Sequence, residues 1–320
     1  MLPRLLLFEG APGAGKSSLS QYAAQQLRAH GRAVRWVEEH DLIDSYLAPF
    51  ERALDAGASD SYVPALLGCW RALAGDVAAG EAVFVLDGAF FHCTGKRLLA
   101  SELPADRIEA VYRELAGLLA PLQPLVVHLT GDDERIVRGE IAERGEQWAE
   151  AVAADVAGYP YQRARGRAGI DGMVRFFVES QLVLRGLLAA WPHRVLSIDT
   201  TERRWPSYQR ALLGALGLDE RAQAPPAPPA ALDRFVGVYR PPDSFPEPYR
   251  RPFSVEAGGD GLLLHMPFRR GFRLVPCGAA TFAIQGRPLQ IEFLLDESGR
   301  VTGAIYPFTP GRRFECAKVG

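Results

Sequence analysis

A glycine-rich segment near the amino terminus contains the residues most suited to chemistry. Residues 10–18 read GAPGAGKSS and match the pattern GxxxxGK[ST] in full. The segment follows an apolar run, LLLFE, and precedes a run of helical character, SSLSQYAAQQLRAH. A strand, a glycine-rich loop and a helix in this order predict a P-loop, whose backbone N–H groups surround phosphate oxygens. The expected ligands are ATP and Mg²⁺.

The residues of this loop have distinct expected roles. The glycines let the backbone curl around phosphate, and the following helix presents its positive end to the same anion. Lys16 is placed to reach the β- and γ-phosphates, and the hydroxyl of Ser17 to coordinate Mg²⁺. The predicted nucleotide-binding residues are Gly10, Ala11, Pro12, Gly13, Ala14, Gly15, Lys16, Ser17 and Ser18.

Acidic residues follow two of the predicted strands. Glu38, Glu39 and Asp41 come after AVRWV, and Asp87 ends AVFVL. Phosphoryl transfer needs one carboxylate near the acceptor hydroxyl and another near the metal, and strand carboxyl ends form the ligand-facing edge of an open α/β sheet. Asp87 is therefore predicted to be a metal ligand or base, and the other three to be acceptor-site residues. The alternatives are solvated acids at a strand end and an Asp that caps the turn at Gly88.

The block LLLFEGAPGAGKSSLSQYAAQQLRAHGRAV resembles the opening of nucleoside-monophosphate kinases, thymidylate kinase especially. Beyond these residues the resemblance ends, because DGAFFH stands where thymidylate kinase has an Asp-Arg pair. The layout is also similar to that of shikimate, adenylylsulfate and chloramphenicol kinases, in which an acid just after the second strand touches the substrate. This resemblance implies that Glu38, Glu39 or Asp41 contacts a small-molecule acceptor.

Two groups of arginines follow the fourth predicted strand. HLTGDDERIVRGEIAERGEQW looks like the strand-to-lid region of P-loop kinases, which implies that Arg135, Arg138 and Arg144 close over the phosphates. Surface pairing with nearby glutamates is the alternative, since helical residues three or four apart share a face. The second group either clamps an anionic substrate or is solvated, and consists of Arg163, Arg165 and Arg167. No metal-ligand spacing relates the histidines, although His92 follows Asp87 closely enough to line the site.

Composition excludes several functional classes. The chain has 36 Lys and Arg against 38 Asp and Glu, a balance that argues against a nucleic-acid partner. Its four cysteines lack a CxxC pair, which favours a reducing cytoplasm over a disulfide framework or zinc site. No apolar run is long enough to predict a membrane span or a secretion signal. We expect no nucleic-acid or membrane partner, and a homodimer is one open option.

The chain is predicted to contain two domains. Five apolar segments alternate with helical ones in the first half, which predicts a P-loop kinase-type α/β fold with a three-layer parallel sheet. The predicted strands are Leu5 to Glu9, Ala33 to Val37, Ala82 to Asp87, Leu125 to Leu129 and Val195 to Ile198. The sequence AQAPPAPPAA then predicts an extended spacer. The predicted boundaries are 1–218 for the kinase domain, 219–231 for the linker and 232–320 for a small antiparallel β domain.

The β domain is predicted from short alternating segments such as FVGVY, GLLLHM and IEFLLD. Their spacing looks like that of small β domains appended to some serine-hydrolase and β-lactamase-like proteins. The resemblance implies no chemistry, so coverage of the acceptor site, dimer contacts, regulation and a passive role all stay open. For the whole chain we expect an ATP-dependent kinase that phosphorylates a hydroxyl of an antibiotic, nucleoside or metabolite. The alternatives are a switch ATPase whose β domain binds a partner protein, and a toxin-like kinase acting on a nucleotide sugar or RNA end.

Overall fold

The structure is a computed structural model that describes residues 2–57, 59–221, 232–246, 250–258, 261–266, 269–284, 289–309 and 312–319. Two compact units divide the chain: the first is Met1–Ile141 with Ala149–Arg221, and the second is Ala142–Trp148 with Ala222–Gly320. From position 222 onward, the predicted linker lies outside the described residues. The domain boundaries stay a prediction.

The first unit contains a five-stranded parallel sheet of order β2-β3-β1-β4-β5. Its strands are β1 (Leu5–Gly10), β2 (Val34–Val37), β3 (Val83–Asp87), β4 (Leu125–Thr130) and β5 (Arg194–Asp199). Strand β1 is central, and all six of its residues are buried. Because the strands are parallel, their carboxyl ends meet at one edge of the sheet. The parallel α/β fold expected from the sequence is confirmed.

Helices connect these strands, as parallel pairing requires. They are α1 (Lys16–Ala29), α2 (Glu39–Leu42), α3 (Ala48–Asp55), α4 (Ser59–Ala79), α5 (Lys96–Ala100), α6 (Ala105–Leu119), α7 (Asp133–Arg144), α8 (Glu146–Ala157), α9 (Pro160–Arg163), α10 (Gly169–Ala189) and α11 (Trp205–Leu216). Two π-helical turns, Ile43–Leu47 and Phe91–Gly95, follow shortly after β2 and β3. Such turns occur often at functional sites.

The two edge strands, β2 and β5, are more exposed than the central strand β1. In β5, four of six residues are exposed, and in β2 only Val37 is buried. Each of these strands has a sheet neighbour on one side only, so fewer elements cover it. Within the described residues, no helix is long and apolar enough to cross a bilayer.

The second unit contains a closed antiparallel barrel in the order β10-β11-β12-β13-β6-β7-β8-β9. Its strands are β6 (Gly237–Arg240), β7 (Phe253–Gly258), β8 (Gly261–Met266), β9 (Arg269–Pro276), β10 (Thr281–Ile284), β11 (Gln290–Leu295), β12 (Val301–Thr309) and β13 (Arg312–Lys318). Buried aromatic side chains form its core, among them Phe235, Tyr239, Phe253, Phe282, Phe293 and Tyr306. Interior side chains fill small barrels of this kind. The predicted antiparallel β domain is confirmed.

Candidate active site

The glycine-rich segment forms a turn between β1 and α1. Gly10 has φ +150°, and a Cβ atom there would lie 2.3 Å from the carbonyl oxygen of Leu129 on β4. Gly15 has φ +92°, and a Cβ atom there would lie 2.1 Å from the ring of Trp205. At both positions the backbone has a positive φ and there is no room for a Cβ atom, so only glycine fits without strain. The loop is thus held between the carboxyl end of β4 and the start of α11.

Lys16 extends back over the loop that precedes it. Its Nζ donates hydrogen bonds to the carbonyl oxygens of Gly10 and Ala11, each at 3.0 Å. A Cβ atom on Gly88, the residue after β3, would lie 3.4 Å from Cε of Lys16. The ammonium therefore lies between the glycine-rich loop and the end of β3, where it can exchange backbone carbonyls for phosphate oxygens.

Glu9, the residue before the loop, is a part of this site that the sequence reasoning did not single out. Its side chain is fully buried, and it accepts hydrogen bonds from the backbone N–H groups of Phe90 (2.7 Å), Phe91 (2.8 Å) and His92 (3.3 Å). Burial raises the pKa of Glu9 to about 7, whereas these bonds and Lys16 act in the opposite direction. Glu9 thereby ties the P-loop strand to the turn after β3.

Asp87 lies at the carboxyl end of β3, as predicted. It is buried, and the parallel register places it opposite Phe8 of β1. Gly88, the next residue, has φ +66° and donates its N–H to the carbonyl of Phe8 at 2.9 Å. The turn after Asp87 is thereby fixed beside Lys16.

The acids after β2 lie at the neighbouring strand end. Glu38 immediately follows β2, and Glu39 and Asp41 belong to the short helix α2. Oε1 of Glu39 is 3.5 Å from Nε2 of His92. This contact joins a predicted acceptor-site acid to the π-helical turn after β3. Glu38 and Asp41 keep their predicted role as alternatives.

Lys96 completes a cluster that the sequence did not reveal. Its Nζ is 2.9 Å from Nε2 of His92 and 5.6 Å from the ring centre of Phe177. An ammonium has only donors, so a protonated Lys96 makes Nε2 of His92 the acceptor. Burial lowers the pKa of Lys96, and the charge of Glu39 opposes this effect. We call Glu39, His92 and Lys96 the strand-end cluster.

A second cation–carboxylate pair follows directly in sequence. Arg97 forms an ion pair with Glu51 of α3, and both side chains are partly buried. Burial lowers the pKa of Arg97, but Glu51 and Tyr159 outweigh that effect and raise it. Lys96 and Arg97 are thus adjacent cations in the region after β3. Lys96 interacts with the charge of Glu39 and Arg97 pairs with Glu51, and both acids belong to the segment after β2.

The predicted lid arginines are paired in this structure. Arg135 contacts Glu202 at 3.1 Å. Arg138 contacts Glu134 at 2.8 Å, one helical turn away, and Asp171 at 3.0 Å. Such exposed pairs contribute little stability and exchange readily. The guanidinium of Arg144 lies 4.7 Å from the ring centre of Trp148.

The second arginine group does not form one clamp. Arg163 ends α9 and donates to the carbonyl of Gly158. Arg165 pairs with Glu102 at 2.7 Å, and Arg167 with Glu179 at 2.6 Å. The three guanidinium groups thus bind three different partners.

The described residues fit a nucleotide with magnesium. No group of three or more His, Cys, Asp or Glu side chains within the described ranges is arranged to hold a metal ion. A P-loop magnesium site does not need one, since a serine hydroxyl, phosphate oxygens and water supply most ligands. Ser17 at the start of α1 and Asp87 at the end of β3 are the residues suited to that site.

Comparison with known proteins gives little beyond the fold. No protein-family model matches the chain, and no curated protein matches it. Among solved structures, the chain is similar to shikimate kinase from Bacteroides thetaiotaomicron, with 12% identity and a TM-score of 0.40. The match covers 67% of this chain and 98% of that one. At this TM-score the likeness carries no information about substrate or chemistry.

Proposed function

We propose that this chain is an ATP-dependent kinase that transfers the γ-phosphoryl group of ATP to a hydroxyl of a small molecule. One observation carries the proposal: a P-loop lysine lies at the same sheet edge as Asp87 and the strand-end cluster. A P-loop alone binds nucleotide. An acid, a histidine and a lysine at the neighbouring strand ends add groups that can position and deprotonate an acceptor.

The proposed roles follow from these positions. Residues Gly10 to Ser18 would hold the phosphates, and Lys16 would leave the carbonyls of Gly10 and Ala11 to contact the β- and γ-phosphates. Ser17 and Asp87 would hold Mg²⁺, which supplies charge neutralisation of the transferring group when it is bound.

In the proposed reaction, the acceptor oxygen forms a bond to the γ-phosphorus, and the bond from that phosphorus to the bridging oxygen of ADP breaks. The acceptor proton moves to the carboxylate of Glu39, with Glu38 and Asp41 as the other candidates. The charge of Lys96 would attract that carboxylate, while Lys96 donates a hydrogen bond to Nε2 of the adjacent His92. Arg135 and Arg138 would exchange their surface partners for phosphate oxygens, and the same role stays a prediction for Arg144.

The test is ATP consumption by the purified chain across a panel of hydroxylated acceptors, with Lys16→Ala as the blank. We expect turnover that depends on one acceptor class and is absent from the blank. Turnover that is indifferent to every acceptor would contradict the proposal and favour a switch ATPase.

The base is assigned by comparing conservative variants once an acceptor is known. Loss of a general base typically costs about 10²–10⁴ in rate. We therefore expect a loss of that size in kcat for Glu39→Gln, with ATP binding retained. Asp44→Asn is the matched control, since Asp44 lies in the same segment but is exposed. An equal or larger loss in Glu38→Gln or Asp41→Asn would move the role to that residue.

A further inference from the structure

Glu9 is a buried acid that the proposed reaction does not use. It lies in β1 directly before the glycine-rich loop, and its side chain is fully buried. Three backbone N–H groups of the turn after β3 bind its carboxylate. Burial disfavours the charged form of a carboxyl group, whereas hydrogen bonds to the carboxylate favour it. The charge of Glu9 therefore depends on a balance that nearby charges can shift.

The two oxygens of Glu9 are bound unequally. Oε1 accepts the N–H groups of Phe90 at 2.7 Å and Phe91 at 2.8 Å, whereas Oε2 accepts the longer bond from His92 at 3.3 Å. A protonated carboxyl group keeps one carbonyl oxygen, which still accepts hydrogen bonds. A proton on Oε2 therefore leaves both short bonds in place and weakens the bond from His92. The folded site can hold Glu9 in either form without rearrangement of the turn.

The charge of Lys16 connects Glu9 to the nucleotide site. Burial raises the pKa of Glu9 to about 7, and the ammonium of Lys16 acts in the opposite direction. That ammonium donates to the carbonyl oxygens of Gly10 and Ala11, the two residues that follow Glu9. Bound phosphate would neutralise Lys16 and place further negative charge near Glu9. Nucleotide therefore favours the neutral form of Glu9.

Other ionisable side chains near Glu9 come from three further elements. Burial raises the pKa of Cys93, in the turn after β3, well above its usual value, and burial also raises the pKa of Tyr112 on α6. His128 on β4 is in register with Glu9, but burial and the charge of Arg185 lower its pKa to about 4. These three side chains therefore stay neutral between pH 6 and pH 8.

Asp87 and His92 must also be separated from Glu9. Asp87 is in register with Phe8, and successive side chains of a strand point to opposite faces of the sheet, so Asp87 and Glu9 lie on opposite faces. Histidine side chains titrate near neutral pH, and the ring of His92 lies beside Glu39 and Lys96. A variant of His92 is therefore part of the test.

We propose that nucleotide binding in the P-loop is coupled to protonation of Glu9, so that the site takes up a proton when nucleotide binds. The inference rests on the nucleotide site of the proposed function. Ionised Glu9 adds a negative charge next to the loop that holds the phosphates, whereas neutral Glu9 does not. ATP affinity therefore falls as pH rises through neutrality, because the free protein loses a proton that the complex retains. By reciprocity, bound nucleotide strengthens proton binding to Glu9 by the same factor.

The experiment uses the full chain and AMP-PNP, a non-hydrolysable analogue of ATP, with excess Mg²⁺. Calorimetry at pH 7 in two buffers of different ionisation enthalpy gives the number of protons taken up per bound nucleotide. We expect up to about half a proton for the wild type, since an acid with a pKa of about 7 is half protonated in the free protein at this pH. Binding should be about fivefold or more tighter at pH 6 than at pH 8.

Three variants assign the proton. Glu9→Gln keeps an oxygen for the two short hydrogen bonds and cannot ionise, so most of the uptake and most of the pH dependence should disappear. His92→Gln and Glu81→Gln should keep the wild-type uptake, and Glu81 is an exposed acid that serves as the matched control. Carbon NMR of the Glu9 carboxyl group in the wild type, with and without AMP-PNP, measures its pKa independently of how well any variant folds. We expect the pKa to be higher in the complex.

The outcomes separate this inference from the proposed function. Binding of AMP-PNP without proton uptake, or with uptake that persists in Glu9→Gln, would overturn the role of Glu9 and leave the nucleotide site in place. Uptake that disappears in His92→Gln and persists in Glu9→Gln would assign the proton to His92 instead. If the wild type fails to bind AMP-PNP at both pH values, the proposed function is wrong and this inference falls with it.

Discussion

At the scale of single residues, Glu9 is the least expected feature of the site. An acid within an otherwise apolar buried strand must find donors, and it finds three backbone N–H groups in the turn after β3. The sequence contained a signal for it, because a lone carboxylate in LLLFEG interrupts an apolar run. Its hydrogen-bond donors lie about 80 positions away in the sequence, so the residues around Glu9 could not identify them.

Glu9 should make stability depend on pH. Its pKa is about 7 in the folded chain against 4.5 for an ordinary Glu, so between these values the folded state holds a proton that the unfolded state has released. The free energy of unfolding therefore falls as pH rises from 4.5 to 7, by about 3 kcal/mol at most. Urea denaturation across this range should show the fall in wild type and a flatter profile in Glu9→Gln. An exposed acid serves as control, and Glu81→Gln should keep the wild-type slope.

Trp205 should report nucleotide binding. Its ring lies against Gly15, the residue before Lys16, and is partly exposed. Phosphate in the loop would change the surroundings of this indole, so ATP should change tryptophan fluorescence. The chain has five tryptophans, and we expect Trp205→Phe to remove most of the change while ATP still binds. A change that persists in Trp205→Phe and disappears in Trp36→Phe would contradict this assignment.

The residues of the site differ in how far sequence could predict them. Gly10 to Ser18 form a contiguous pattern with a known strand and helix context, so their roles follow from spacing alone. Glu39 was predicted as one of three acids, because a strand end can be located but a side-chain direction cannot. Lys96 gave no signal, since a lysine in a helix is usually solvated. Its place near His92 depends on how α5 packs.

At the scale of elements, α7 is held at its amino-terminal end by an ion pair. Asp133, in its first turn, accepts a hydrogen bond from Arg185 of α10 at 2.7 Å. The side chain of Asp133 is 3% exposed and that of Arg185 is 36% exposed. Burial raises the pKa of Asp133, and Arg185 opposes the shift. The helix that carries the predicted lid residues Arg135 and Arg138 therefore has a fixed first turn.

The unequal burial of this pair predicts an unequal response to mutation. Arg185→Met leaves a buried carboxylate unpaired and should lower the free energy of unfolding by about 3 kcal/mol. Asp133→Asn leaves a guanidinium that water can reach and should cost about 1 kcal/mol. Urea denaturation measures both, with Arg71→Met as control, since the exposed Arg71–Glu114 pair should contribute less than about 0.5 kcal/mol. An equal decrease in the free energy of unfolding of the two variants would show that burial does not determine the cost of removing one partner of the pair.

The elements themselves were largely predictable. Each predicted strand of the first unit is present with ends shifted by at most one residue, because an apolar run between turn signals depends on nearby residues only. Closure of the second unit into a barrel was not predictable to the same degree. The pairing of β6 with β13 joins residues far apart in sequence, and alternating segments fit an open sheet as well as a barrel.

At the scale of the whole molecule, the end of the first unit can be located from contacts with α1. The side chain of Gln26 donates to the carbonyl of Arg221 at 3.1 Å and accepts its N–H at 2.9 Å. Arg221 also donates to the carbonyl of Ala29 at 2.8 Å, and Tyr22 to Glu220 at 3.2 Å. Glu220 and Arg221, which form these hydrogen bonds with α1, lie beyond residue 218, the end of the kinase domain predicted from composition.

Two shortened chains, ending at Leu218 and at Arg221, test where this unit ends. Neither has the barrel, so they differ only in residues 219–221, of which Glu220 and Arg221 bond to α1. A net contribution of about 0.5–1.5 kcal/mol for each hydrogen bond, reduced at an exposed site, predicts that the longer chain is more stable by about 1–2 kcal/mol. Tryptophan fluorescence during urea denaturation measures the difference, since every tryptophan precedes residue 218. Gln26→Ala in the longer chain should remove most of this added stability. If the two chains are equally stable, the boundary lies at Leu218, because residues 219–221 then contribute nothing to the fold.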